Sequence, residues 1–263
     1  MNPSPRRFGI VNWRGVWTLY ARGVMRFFKF AWESLGGPCV SSLLFLAVFV
    51  LALGGSQQTM AGVSVAQFVA PGIVLFSLAH SAFENAAFPV LYDKLEGMIA
   101  DILMAPLTPL ELVTGYVLSA VTNGLVTGAV IVALVAIFVE LPISDLGAAV
   151  GFAVLSALLF ALIGTLVGLW ADKWEHYSAA ETFLILPLGL LSGTFFTLSS
   201  LPEVGQTLLR VNPIFYAIDG FRYGFIGHAD VEVAWGAAVL TGLSVLLWAL
   251  TWRLFSVGYK LKP

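Results

Sequence analysis

Residues 148–170 read AAVGFAVLSALLFALIGTLVGLW, twenty-three positions without one charged side chain. As a helix this stretch would rise about 35 Å, enough to cross a hydrocarbon core about 30 Å thick. The rest of the chain has the same character. Of its 263 residues 59% are hydrophobic and 11% charged, with a mean hydropathy of +0.92. A soluble domain carries about 25% charged residues. A soluble core could not bury this much apolar surface, so lipid must be the solvent for much of the chain. A membrane β-barrel needs short alternating segments. These runs are continuous in Leu, Val, Ala, Phe and Gly, which points to an all-α integral membrane protein.

Working outward from that run as span four, five more are expected. Span one is Pro38–Leu53, ended by Gly54-Gly55; span two is Phe68–Leu91; span three is Leu112–Val139. Span five is Ala180–Leu198, kinked or broken by Pro187, Gly189 and Gly193. Span six is Ala234–Val257. In span four Ala149, Ala153, Ala157 and Ala161 recur every four residues, followed by Gly164 and Gly168. Such a ladder lets helix backbones approach closely in lipid, and packing within the subunit is the expected use. The whole is one domain over 1–263, with six spans inside 38–257.

Residues 13–33 are too charged to span. Arg14, Arg22, Arg26, Lys29 and Glu33 alternate with Trp13, Trp17, Tyr20, Phe27, Phe28 and Trp32. This is a cationic amphipathic helix with an aromatic face, suited to lying among lipid headgroups. The first apolar run follows a long cationic stretch without a convincing cleavage site, so no signal peptide is expected. Eleven of the thirteen basic residues fall on one side of a six-span layout; Arg210 and Arg222 alone fall on the other. The positive-inside rule then puts both termini in the cytoplasm.

Motifs for chemistry are sparse. His80, His176 and His228 form no H-E-x-x-H pattern and no pair with zinc-ligand spacing. The single cysteine, Cys39, supports neither an intrachain disulfide nor a cysteine metal framework. No lysine follows a glycine, so there is no phosphate-binding loop. Neither catalytic nor metal residues are expected, and no cofactor. If transport is ATP-driven, a separate subunit must bind the nucleotide. Inside span two Glu84 stands four residues from His80, on one face. A charge at that depth costs several kcal/mol and should face protein or a water-filled path. The two residues either line a translocation route or make a local packing contact through each other or Asn85.

The connector after span two is more informative. Asp93–Met104 is expected to form a short amphipathic helix, with Leu95, Ile99, Ile102 and Leu103 on one face and the charges, Asp93 among them, on the other, Glu96 and Asp101 forming the rim. The run Ala105-Pro106-Leu107-Thr108-Pro109 ends it. Such a helix could hand motion from a cytosolic partner to the spans.

Three blocks together resemble the type-2 ABC exporter permease family over nearly the whole chain: Phe68 to Gly72 (F-x-x-P-G), Lys94 to Gly115 (KLEGMIADILMAPLTPLELVTG), and an ordered series in the last third. That series runs Leu191-Ser192-Gly193-Thr194-Phe195-Phe196, Leu201-Pro202, Val211-Asn212-Pro213, then Tyr216 to Arg222. It is similar to bacterial permeases that export polysaccharides, lipo-oligosaccharides or drugs. The resemblance implies a subunit of the bacterial cytoplasmic (inner) membrane that works as a homodimer or pseudo-dimer with two copies of a separate ABC ATPase. ATP and Mg would sit on that partner. The residues Leu95, Glu96, Ile99, Asp101, Leu103 and Pro106 would couple to the ATPase. The route for an amphipathic lipid-linked glycan or drug-like substrate would pass His80, Glu84, Phe195 and Phe196. Ser199–Arg222 would form short re-entrant helices at an outer gate. Lipid is the remaining partner; nucleic acid is not expected. The rival readings are an ion-coupled carrier, which would need more carboxylates in its spans and an inverted repeat, and a non-transporting membrane scaffold.

Overall fold

The structure, a computed structural model, describes residues 11–53, 59–60 and 62–261, without the side chains at positions 50, 52, 53 and 199. It is almost entirely helical. Helix α1 is Trp13–Lys29, followed by a π-helical turn at Trp32–Gly36 that runs into α2, Gly37–Leu53. A two-residue hairpin pairs β1 (Thr59–Met60) with β2 (Val63–Ser64). Then come α3 (Val65–Leu95), α4 (Ile99–Met104), α5 (Pro109–Val135) and α6 (Leu146–Trp170). The last third holds α7 (Trp174–Ala180), a second π-helical turn (Glu181–Ile185), α8 (Leu186–Leu190), α9 (Glu203–Val211), α10 (Pro213–Ile226) and α11 (Val233–Val257).

Among the described residues, five helical stretches are long and apolar enough to cross a membrane: Trp32–Phe49, Val65–Leu95, Pro109–Val135, Leu146–Trp170 and Val233–Val257. Expected spans one, two, three, four and six each find a helix here. Span two is longer than expected. Ser64 and Gln67 form a capping box ahead of Val65, so Pro71 lies inside the helix. At span three the Thr108–Glu111 capping box and Pro109 in the first turn start α5, so Gly115 is interior.

Span five differs most. Helix begins at Trp174, not Ala180, and stops at Leu190, not Leu198. Gly193 takes a left-handed φ of 75° and turns the chain. Even so, the segment runs antiparallel along α3. The ring of Trp174 lies 5.0 Å from that of Phe88, and Tyr177 stacks on Phe83. His80 Nε2 is 3.0 Å from Glu181 Oε1, and a Cβ at Gly189 would sit 1.9 Å from the ring of Phe76. A Cβ at Gly72 would come within 2.9 Å of Thr194. From Phe88 to Gly72 is about 24 Å along a helix axis.

The core is built around α3, which α6 and α5 flank. The Ala149–Ala161 ladder is buried, and a Cβ at Gly164 or Gly168 would lie 2.3 or 2.5 Å from the carbonyl oxygen of Phe83 or Ala87. The ladder therefore packs within the subunit, as expected.

Basic residues tie one end of the bundle together. Lys94 Nζ donates to the carbonyls of Leu169 and Ala171, both at 2.6 Å, and Lys260 Nζ to that of Trp170 at 2.8 Å. Two cations thus satisfy the free carbonyls at the C-terminus of α6 and complement its dipole. Lys260 also pairs with Asp172 and holds that carboxyl below the usual carboxylate range. Arg6, Arg7 and Lys262 lie outside the described residues. At the opposite end sit the hairpin and the N-terminus of α3, where Gln67 Nε2 donates to the carbonyl of Glu140.

Candidate functional site

Two adjoining cavities, about 360 and 380 Å³, share Glu33 and Glu84 and together make one groove along α3. At the hairpin end it is walled by Phe45 of α2, Ile73 and Phe76 of α3, Leu190 of α8, and Thr194 and Phe195 beyond it. At the basic end it passes Arg26, Phe30, Phe88 and Tyr177. Its polar centre is a three-residue cluster. His80 Nε2 faces Glu181 at 3.0 Å, and His80 Nδ1 faces Glu84 Oε2 at 3.6 Å. Tyr177 stands one helical turn before Glu181 on the same segment. The first π-helical turn contributes Glu33 to the groove wall, and the second starts at Glu181, the partner of His80. Such turns rotate the side chains that follow and recur at functional sites.

Of the residues expected on the route, His80, Glu84 and Phe195 line the groove. Phe195 is fixed there by stacking on Phe49, centroids 4.2 Å apart. Phe196 lies elsewhere, against Leu198, Leu209 and Phe215. Asn85 is not the partner of Glu84; it bonds Ser81 and Asn123. Glu181 was missed as the partner of His80, although it is the sole charged residue of the expected fifth span.

The bend that closes the groove at the hairpin end is held from α10. Asn212, at the N-cap of α10, donates through Nδ2 to the carbonyls of Leu188 and Leu191, the free carbonyls where α8 stops. Arg222 is fully buried, with its guanidinium 3.8 Å over the Phe68 ring. It donates to the carbonyl of Gly193 at 2.6 Å and to that of Phe68 at 3.2 Å. Asp219 accepts from the backbone N–H groups of Asp230 and Val231.

The connector at the basic end needs correction. Asp93–Met104 is not one amphipathic helix. Helix α3 continues to Leu95, Gly97 takes φ 74°, and α4 covers only Ile99–Met104. Asp93 does not belong to a solvated face. It is fully buried, accepts from the Tyr116 hydroxyl at 2.7 Å, pairs with Arg22 and lies 3.8 Å from Arg26. Ile99 is buried among Leu19, Val90 and Leu112, so it is not free to anchor a partner. Leu95, Glu96, Asp101, Leu103 and Pro106 are exposed as expected, and Met104 is 76% exposed.

Helix α1 keeps its aromatic face. Trp13, Trp17, Met25 and Phe28 are exposed, while Val16, Leu19 and Phe27 are buried. Its charges divide by role. Arg14 and Lys29 are exposed, whereas Arg22 and Arg26 reach into the bundle toward Asp93.

Residues 14–226 match the ABC-2 type transporter family. The chain belongs to that family and is a membrane permease of an ABC transporter. Among its relatives is the inner membrane transport permease YadH of Escherichia coli (strain K12), 32% identical over 250 residues, which are 95% of this chain and 98% of that protein. Nodulation protein J of Rhizobium leguminosarum bv. trifolii is 30% identical over 230 residues, 86% of this chain and 85% of the relative. Nodulation protein J of Rhizobium meliloti (strain 1021) is 27% identical, covering 84% of each.

Proposed function

We propose that this chain is the membrane-spanning subunit of an ATP-driven exporter in the bacterial inner membrane, and that the groove along α3 is half of its translocation path. The observation that carries this is the groove itself. It combines aromatic walls with a polar centre and runs beside α3 over most of a bilayer's thickness, which suits an amphipathic drug-like molecule or lipid-linked glycan. The elements that wall it carry exposed apolar residues, including Val40 and Leu44 of α2 and Leu190 of α8. A second copy of the chain facing it would enclose the path, and alternating access would follow from the two copies rocking against each other. The register of the α7–α8 segment along α3 supports a sixth crossing, with both termini cytoplasmic. Two copies of a separate ATPase would dock at the basic end, on Leu95, Leu103 and Met104, with ATP and Mg bound there.

The test is reconstitution of the chain with its ATPase in proteoliposomes. Export should require ATP and the second subunit. The substitution Ser41→Trp, at an exposed position on the groove wall, should leave assembly intact and sharply lower export. Transport by the chain alone on an ion gradient would favour a secondary carrier. ATPase activity indifferent to every amphipathic substrate would favour a scaffold.

A further inference from the structure

We propose that His80, Glu84 and Glu181 form a binding site for a divalent transition ion of the zinc class, held between α3 and the α7–α8 segment. One ligand atom from each residue lies within 4.8 Å of the other two. His80 and Glu84 are one helical turn apart on the same face, and Glu181 approaches from the start of the second π-helical turn. A tetrahedral ion about 2.0–2.2 Å from nitrogen and oxygen ligands sets those ligands about 3.3 Å apart. His80 Nε2 and Glu181 Oε1 are already at 3.0 Å, so a few tenths of an ångström admit the ion. Glu84, whose side chain is 40% exposed, is free to swing in as the third ligand.

Charge argues the same way. Among the described residues, Glu84 and Glu181 have His80 as their shared ion-pair partner and no lysine or arginine within salt-bridge distance. Two ionised carboxylates against one imidazole would leave net negative charge in a low-dielectric setting, and a divalent ion would neutralise it. Three protein ligands leave a fourth position open toward the groove for water or another donor. An ion here would staple the α7–α8 wall to α3 and restrain any motion that widens the groove.

The inference rests on this geometry and not on the transport reading, and its test reads metal alone. The full chain is purified in detergent, stripped with EDTA and titrated with Co²⁺, whose visible spectrum reports coordination. One Co²⁺ per chain should bind with a tetrahedral-type spectrum, and Zn²⁺ should displace it and raise the melting temperature. His80→Ala and Glu181→Gln should each weaken binding by more than about tenfold. His228→Ala, at an exposed loop, should leave it unchanged. If a variant does not fold, Glu84→Gln takes its place. Absence of a stoichiometric ion in the unaltered chain would overturn the proposal, and so would binding that survives the loss of His80 or falls only with His228→Ala.

Discussion

Asp93 shows how one buried charge can organise an end of the molecule. Its carboxylate receives Tyr116 of α5 and pairs with Arg22 of α1, so a single residue of α3 fixes two other helices. Its Oδ1 has no hydrogen bond and relies on Arg26 at 3.8 Å. Replacing Asp93 by Asn keeps the size and a hydrogen-bond acceptor but removes the counter-charge. Breaking a buried ion pair from one side costs about 3–5 kcal/mol. Arg22 and Arg26 keep partial solvent access, so the low end, about 3 kcal/mol, is expected for Asp93→Asn. Thermal unfolding in detergent reads it. A melting temperature equal to that of the unaltered chain would mean that the arginines find other partners and that α1 docks without this ion pair.

At the scale of elements, the α3–α4–α5 connector separates two roles that one amphipathic pattern had merged. Ile99 faces the bundle, whereas Leu103 and Met104 face away from it. Ile99→Ala should therefore act on folding, with a loss of about 2–4 kcal/mol as for other buried large-to-small changes. Leu103→Asp and Met104→Asp should leave the melting temperature of the isolated subunit unchanged. Truncating or charging an interface anchor often costs more than about 1 kcal/mol of binding, so both should lower co-purification of the ATPase. If Leu103→Asp co-purified normally and exported normally, the connector would be passive.

For the whole molecule the number of crossings rests on the α7–α8 segment. Helix Trp174–Leu190 is interrupted by a π-helical turn and ends short, yet its contacts follow α3 from Phe88 to Gly72. A six-crossing layout places residue 173, between α6 and α7, inside and residue 230 outside. Reporter fusions at those two positions should give opposite signals. The same signal at both would show that the α7–α8 segment turns back without crossing.

Span identity was written in the sequence, because twenty apolar residues in a row have no other stable solvent than lipid and helix is the way to satisfy their backbone there. So was the intramolecular ladder of α6, since small residues at every fourth position must meet another backbone. His80 and Glu84 were legible as a pair because a helix puts i and i+4 on one face. What joins them was not. Glu181 lies 101 residues from His80, and only the antiparallel register of α7–α8 along α3 brings it there. The same holds for Asp93, which local periodicity assigned to a solvated face but which Arg22 and Tyr116, distant in sequence, draw into the core. Periodicity reports which residues share a face of one helix. Which face is covered, and by what, depends on contacts between elements far apart in the chain, and those exist only once the tertiary structure has formed.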